Sequence, residues 1–191
     1  MKQAPIPWIS LLLCCVFTAG AGAFDVASGQ ELGPGAKQAY YRAVADHFGV
    51  PIDEVEVLGE WGLEPDEVPV VLFVSSRAGV SSDALVGMRR SGGGWSSVAR
   101  RFGLGSRAFY IVLPEDGNLG ILSEAYEEFK SKPARDWDAI DLEDSEIVSF
   151  VNLKVLSEQA EVPPLMVLRS KEEYGSFIAG FMSLLGFLSR G

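Results

Sequence analysis

The chain has 191 residues, 48% of them hydrophobic and 22% charged, with one histidine and two cysteines. That length suits a single domain that can bury a core without covalent staples. Its 26 acidic residues against 16 Lys and Arg give a net charge of −10, which disfavours nonspecific attraction to nucleic acid or anionic lipid.

Residues 1–23 read as a secretory signal peptide. Lys2 supplies the positive end, Trp8 to Phe17 the apolar core, and Ala21-Gly22-Ala23 a small-x-small cleavage site. This predicts an exported protein, periplasmic or secreted, with Phe24 as the mature N-terminus. The apolar run is too short to span a bilayer, so no transmembrane span is expected in the mature chain. Cys14 and Cys15 both fall in the leader, so the mature chain is expected to fold without disulfides. Leucines precede them, where a lipid-anchor site needs a small residue. Residues 24–35 end in Gly33-Pro34-Gly35 and read as a flexible arm. Residues 36–191 read as a single helical domain.

From Ala36 the spacing of Tyr40, Ala43, Val44, His47 and Phe48 predicts a helix that stops at Gly49. Pro51 opens a second helix, with Asp53 and Glu54 near the positive end of its dipole. Pro65-Asp66-Glu67 opens a third, running to about Arg77. Its apolar interior, residues 68–74, fits a buried strand as well as a helix.

An internal repeat decides for the helix. Gly49-Val50, Asp53, Val55, Leu58 and Gly62 recur without a gap as Gly79-Val80, Asp83, Leu85, Met88 and Gly92. A fainter echo follows about eighty residues on. There Glu67-Val68, Met88-Arg89 and Val98-Ala99 match Glu146-Ile147, Leu168-Arg169 and Ile178-Ala179. The later copy of the ambiguous run carries Ser149, Asn152 and Lys154, polar interruptions that suit a helix. Trp95, Val98, Ala99 and Phe102 have the spacing of a buried helix face. Residues 108–113 (AFYIVL) have strand composition and stop at Pro114. Ser123 is expected to cap a short helix through Lys132, with Glu128 and Lys132 as an i, i+4 pair. An acidic loop covers 136–146. Ser170 and Glu173 form a capping box for a last helix toward Leu188. The expected fold is mostly α: a compact bundle of degenerate helical hairpins, with one short extended segment near 108–113.

Few residues suggest chemistry. His47 is the lone histidine, no Gly-x-Ser-x-Gly elbow occurs, and the mature chain lacks cysteine, so no Ser-His or Cys-His site can be assembled. No cofactor or metal set is expected. The acidic loop misses the calcium-loop template, with Ile140 fifth and Asp141 sixth after Asp136. Residues 95–112 carry a helix-turn-helix-like pattern in Ala99, Gly103, Leu104, Phe109 and Val112, but Tyr110-Ile111-Val112 lacks base-reading side chains. Arg77, Arg89, Arg90, Arg100, Arg101 and Arg107 lie in a stretch whose only acid is Asp83. They form a candidate patch for an anion or a partner, or else they pair with the 136–146 acids. Phe177, Phe181, Leu185 and Leu188 are candidates for self-association.

Gly79-Val80-Ser81, Met88-Arg89, Gly94-Trp95 and Val98-Ala99, with Asp144-x-Glu146-Ile147 and Leu168-Arg169, resemble a group of exported bacterial helical proteins of unknown function. The resemblance spans most of 38–185 and implies no activity, cofactor or catalytic residue. The leading expectation is a noncatalytic binding or structural module of the cell envelope, whose partner is an envelope protein or an anionic polymer. The alternative is a carboxylate-dependent envelope hydrolase acting on glycan. A lesser alternative, DNA binding, requires that the chain is not exported.

Overall fold

Nine α-helices account for most of the described residues. The computed structural model describes residues 34–114 and 117–186. The leader, most of the arm and Leu188 lie outside them. Helix α1 spans Pro34–Phe48, so it takes in the last two residues of the expected arm. Then come α2 (Ile52–Glu60), α3 (Val68–Ala78), α4 (Ser82–Arg90), α5 (Trp95–Arg101), α6 (Ser123–Ser131), α7 (Asp144–Ala160), α8 (Pro164–Tyr174) and α9 (Phe177–Leu184). No strand occurs among the described residues.

The repeat is a pair of helical hairpins, α1–α2 and α3–α4. Gly49 and Gly79 hold φ of 67° and 65°, a left-handed conformation that L side chains avoid and that ends α1 and α3. Val55 and Leu85 are the matching buried anchors of α2 and α4. The longer echo places α3–α4–α5 against α7–α8–α9. Glu67 and Glu146, its matched positions, are the third residues of two capping boxes, Glu64-x-x-Glu67 and Glu143-x-x-Glu146.

α7 is the central post, packed by α1, α3, α8 and α9. It is apolar on nearly every side, as a helix surrounded by others must be. Of its polar interruptions, Ser149 and Asn152 are buried and Lys154 is half-buried. Asn152 is fully enclosed: its Oδ1 accepts the Tyr40 hydroxyl, and its Nδ2 donates to Asp66 O and Val148 O, each at 2.8 Å. α3 is likewise buried from Val68 to Val74, which settles the ambiguous run as helix. In α5, Trp95, Val98 and Ala99 are buried, and Phe102 packs at their edge.

Four expectations are corrected. Residues 109–114 form neither a strand nor a second helix. A 3-10 turn at Ser106–Ala108 leads into irregular chain pinned by buried Phe109 and Leu113, so the helix-turn-helix pattern lacks its reading helix. The acidic loop is a 3-10 turn (Ala134–Ala139), two buried residues, Ile140 and Leu142, and the start of α7. The last helix is two. Gly175, at φ 82°, ends α8, and Ser176 caps α9 by accepting the Ala179 N–H at 3.1 Å. Ser170 lies inside α8, where its hydroxyl donates to Gly180 O at 2.9 Å. A Cβ on Gly180 would stand 2.8 Å from Lys171 N, so only glycine allows α8 and α9 to approach this closely. Phe177 and Phe181 are each 2% exposed. They pack in this chain's own core, whereas Leu185 is 40% exposed.

Candidate functional site

The arginine cluster and the acidic segment meet at Arg89, on α4. Its Nε donates to Glu67 Oε1 at 2.8 Å, and its Nη2 lies 2.6 Å from the same oxygen. Its Nη1 donates to Asp144 Oδ2 at 2.5 Å and to Gly93 O at 3.1 Å. The guanidinium stands 5.4 Å over the Trp95 ring. Burial works against its charge, but Glu67 and Asp144 outweigh burial and hold it above its usual range.

Trp95 closes the network. Its indole Nε1 donates to Glu67 Oε1 at 2.8 Å, and its backbone N–H donates to Asp144 Oδ1 at 2.6 Å. Gly94, the residue before α5, has no side chain with which to cap that helix. Asp144 supplies the cap from α7. Arg89 thus ties together the starts of α3, α5 and α7.

The other arginines have different partners. Arg100 donates to Ile140 O at 2.7 Å and to Asp141 Oδ1 at 3.0 Å. Arg107 donates to Ala134 O and lies 3.7 Å from Asp138. Arg77 stands over the Phe73 ring at 5.1 Å. Arg90 and Arg101 are exposed, with no ion pair among the described residues. Arg101 edges an open groove between α4 and α5.

A groove of about 310 Å³ lies beside the Arg89 network. Glu64, Asp66 and Glu67 enter it from the turn before α3. Asp144, Ser145, Val148 and Ser149 enter from α7, and Lys171 and Phe177 from α8 and α9. Ile121 adds an apolar edge that is 40% exposed. The four carboxylates are not equivalent. Glu64 accepts the Glu67 backbone N–H, and Glu67 Oε2 accepts the Glu64 N–H at 3.2 Å. Asp144 and the other Glu67 oxygen serve Arg89 and Trp95. Asp66 is different: burial pushes its carboxyl up to about 6, against the opposing pull of the Phe177 N–H and Lys171.

His47 is remote from this groove. It pairs with Glu158 at 3.1 Å near the far end of α7, about 20 Å along the helix from Asp144. Burial lowers its pKa against the opposing pull of Glu158. No group of three or more His, Cys, Asp or Glu among the described residues is placed to hold a metal.

A second concave surface, about 200 Å³, lies between α6 and the irregular segment. Tyr110 packs at ring-centroid distances of 4.6 Å from Trp137 and 4.9 Å from Phe129. Val112, at its rim, is 81% exposed. The Tyr126 hydroxyl donates to Ile111 O and fixes the segment.

Sequence reasoning reached Arg89 but missed the groove. Asp66 reads as an ordinary first-turn acid and Lys171 as an ordinary surface lysine. No family model, curated protein or solved structure matches the chain.

Proposed function

We propose that this chain is an exported, noncatalytic binding module of the cell envelope, and that the groove at Asp66 is where it binds. The supporting observation is the division of labour among the groove's carboxylates. Glu67 and Asp144 are committed to Arg89 and Trp95, and Glu64 accepts the Glu67 N–H, whereas Asp66 has only the Phe177 N–H and no ion-pair partner among the described residues. Acid–base cleavage of a glycoside uses two working carboxyl groups, and Glu67 and Asp144 are both held by Arg89. Export rests on the leader at 1–23. No helix among the described residues is long and apolar enough to cross a membrane.

The partner is an envelope component small enough to reach a groove. A long anionic polymer fits less well, because Arg89, Arg100 and Arg107 are taken by Asp144, Asp141 and Asp138. The second reading remains a glycan hydrolase. Asp66, with its carboxyl raised to about 6, has the protonation behaviour of a general acid, but a partner carboxylate would have to leave Arg89, as Glu67 or Asp144, or give up the capping bond of Glu64. Incubating the purified protein with soluble envelope fragments separates the two. Fragments retained at unchanged mass, with retention lost in Asp66→Asn, support the binding module. New reducing ends that disappear in Asp66→Asn support the hydrolase.

A further inference from the structure

Two opposite charges in the groove have no ion-pair partner among the described residues. Lys171 forms no ion pair, and its ammonium stands 5.9 Å over the Phe177 ring. Asp66 is near enough for Lys171 to act on its charge, yet the two do not pair. Phe177 and Val148 are the apolar residues that line the groove beside these charges, and Ile121 edges it. Arg89 cannot neutralise Asp66, because its donors are committed to Glu67, Asp144 and Gly93.

This arrangement discriminates between ligand charges. A simple cation attracted to Asp66 also meets Lys171. A simple anion attracted to Lys171 also meets Glu64, Glu67 and Asp66. A ligand carrying both signs meets each charge with its opposite, through charge-assisted hydrogen bonds stronger than neutral ones. The volume lies at the small end of the range for ligand sites, and part of its lining is apolar.

We infer that the groove binds a small zwitterion with an apolar body, a free amino acid or the end of a short peptide, with its ammonium on Asp66 and its carboxylate on Lys171. The inference rests on the groove being the binding site proposed above. The groups facing Asp66 are Glu64 and Glu67 on its own turn, Lys171 on α8, and the Tyr40 and Tyr41 phenols on α1. Because the ligand needs ionised Asp66, affinity falls as pH drops through about 6.

Calorimetric titration of the full-length chain with leucyl-leucine, its N-acetyl form, its C-amide form and free leucine tests this. The unblocked dipeptide is expected to bind, and either block to weaken it by about tenfold or more. Asp66→Asn should become indifferent to N-acetylation, and Lys171→Met to amidation. Binding of free leucine equal to the dipeptide assigns an amino acid; dipeptide binding alone assigns a peptide end. The blocked ligands probe the unmodified protein, so the test stands even if a variant fails to fold. Equal binding of all four ligands, or binding of none at millimolar concentration, overturns the zwitterion. If envelope fragments are still captured in an Asp66-dependent way, the groove survives as the binding site and only this ligand class falls.

Discussion

Replacing Asp66 with asparagine keeps the side chain's shape and removes its charge, and the fold should become more stable at neutral pH. Burial is the main cause that lifts this carboxyl from an ordinary 3.8 to about 6. The unfolded chain releases the proton near the lower value and the folded chain near the higher one. Below both values both states are protonated, and ionisation costs nothing. Between them the folded state holds more protons, so stability falls as pH rises; above about 6 the loss is complete. Roughly two units at about 1.4 kcal/mol each set an upper bound of about 3 kcal/mol. Asp66 is only partly buried, and water lowers the figure to about 1–3 kcal/mol. The backbone oxygen of Asp66, which accepts from Asn152 Nδ2, is unchanged by the substitution. Urea denaturation at pH 7.5 and pH 4 is the assay. Asp66→Asn should gain about 1–3 kcal/mol at pH 7.5 and lose most of that gain at pH 4. A variant less stable than the original at pH 7.5 would refute the reasoning. It would mean that the carboxylate makes a favourable bond within the fold and is not open to a ligand.

Three other outcomes follow from the same network and from the leader. Trp95→Ala should cost about 3–5 kcal/mol, because a fully buried ring is lost. Trp95→Phe, which keeps a ring but leaves Glu67 one bond short, should cost about 1–3 kcal/mol; a near-neutral denaturation curve for both would show the ring to be exposed. Arg89→Met should cost about 2–4 kcal/mol by leaving Glu67 and Asp144 unpaired, whereas Arg100→Ala, an exposed pair, should cost about 1 kcal/mol or less; equal costs in chemical denaturation would remove Arg89's special place. Mass spectrometry of the protein recovered from its native cell should find Phe24 as the first residue; a chain retaining Met1 would contradict export.

Helices and hairpins were legible in the sequence because their signals are local. Gly49 and Gly79, thirty residues apart, mark equivalent helix ends. The helical reading of 67–77 rests on its echo at 146, since periodicity does not separate its interior from a strand. Local signals also misled. Ser170 and Glu173 spell a capping box, but tight α8–α9 packing across Gly180 keeps Ser170 within a helix. Tyr110-Ile111-Val112 has strand composition, yet no strand occurs among the described residues to pair with it. The groove was illegible for a different reason. Asp66, Asp144, Lys171 and Phe177 are far apart in the chain, and none breaks the pattern of its own element. Only tertiary packing desolvates Asp66 and leaves Lys171 without an ion-pair partner among the described residues.

The most direct measurement is an amide chemical-shift map of the isotopically labelled protein, titrated with soluble envelope fragments and followed by recovery of the ligand. Shifts should cluster at 64–67, 144–149 and 171–177, with the ligand recovered unaltered. Shifts centred on Tyr110 and Trp137, or recovery of a cleaved ligand, would contradict a noncatalytic binding site at Asp66.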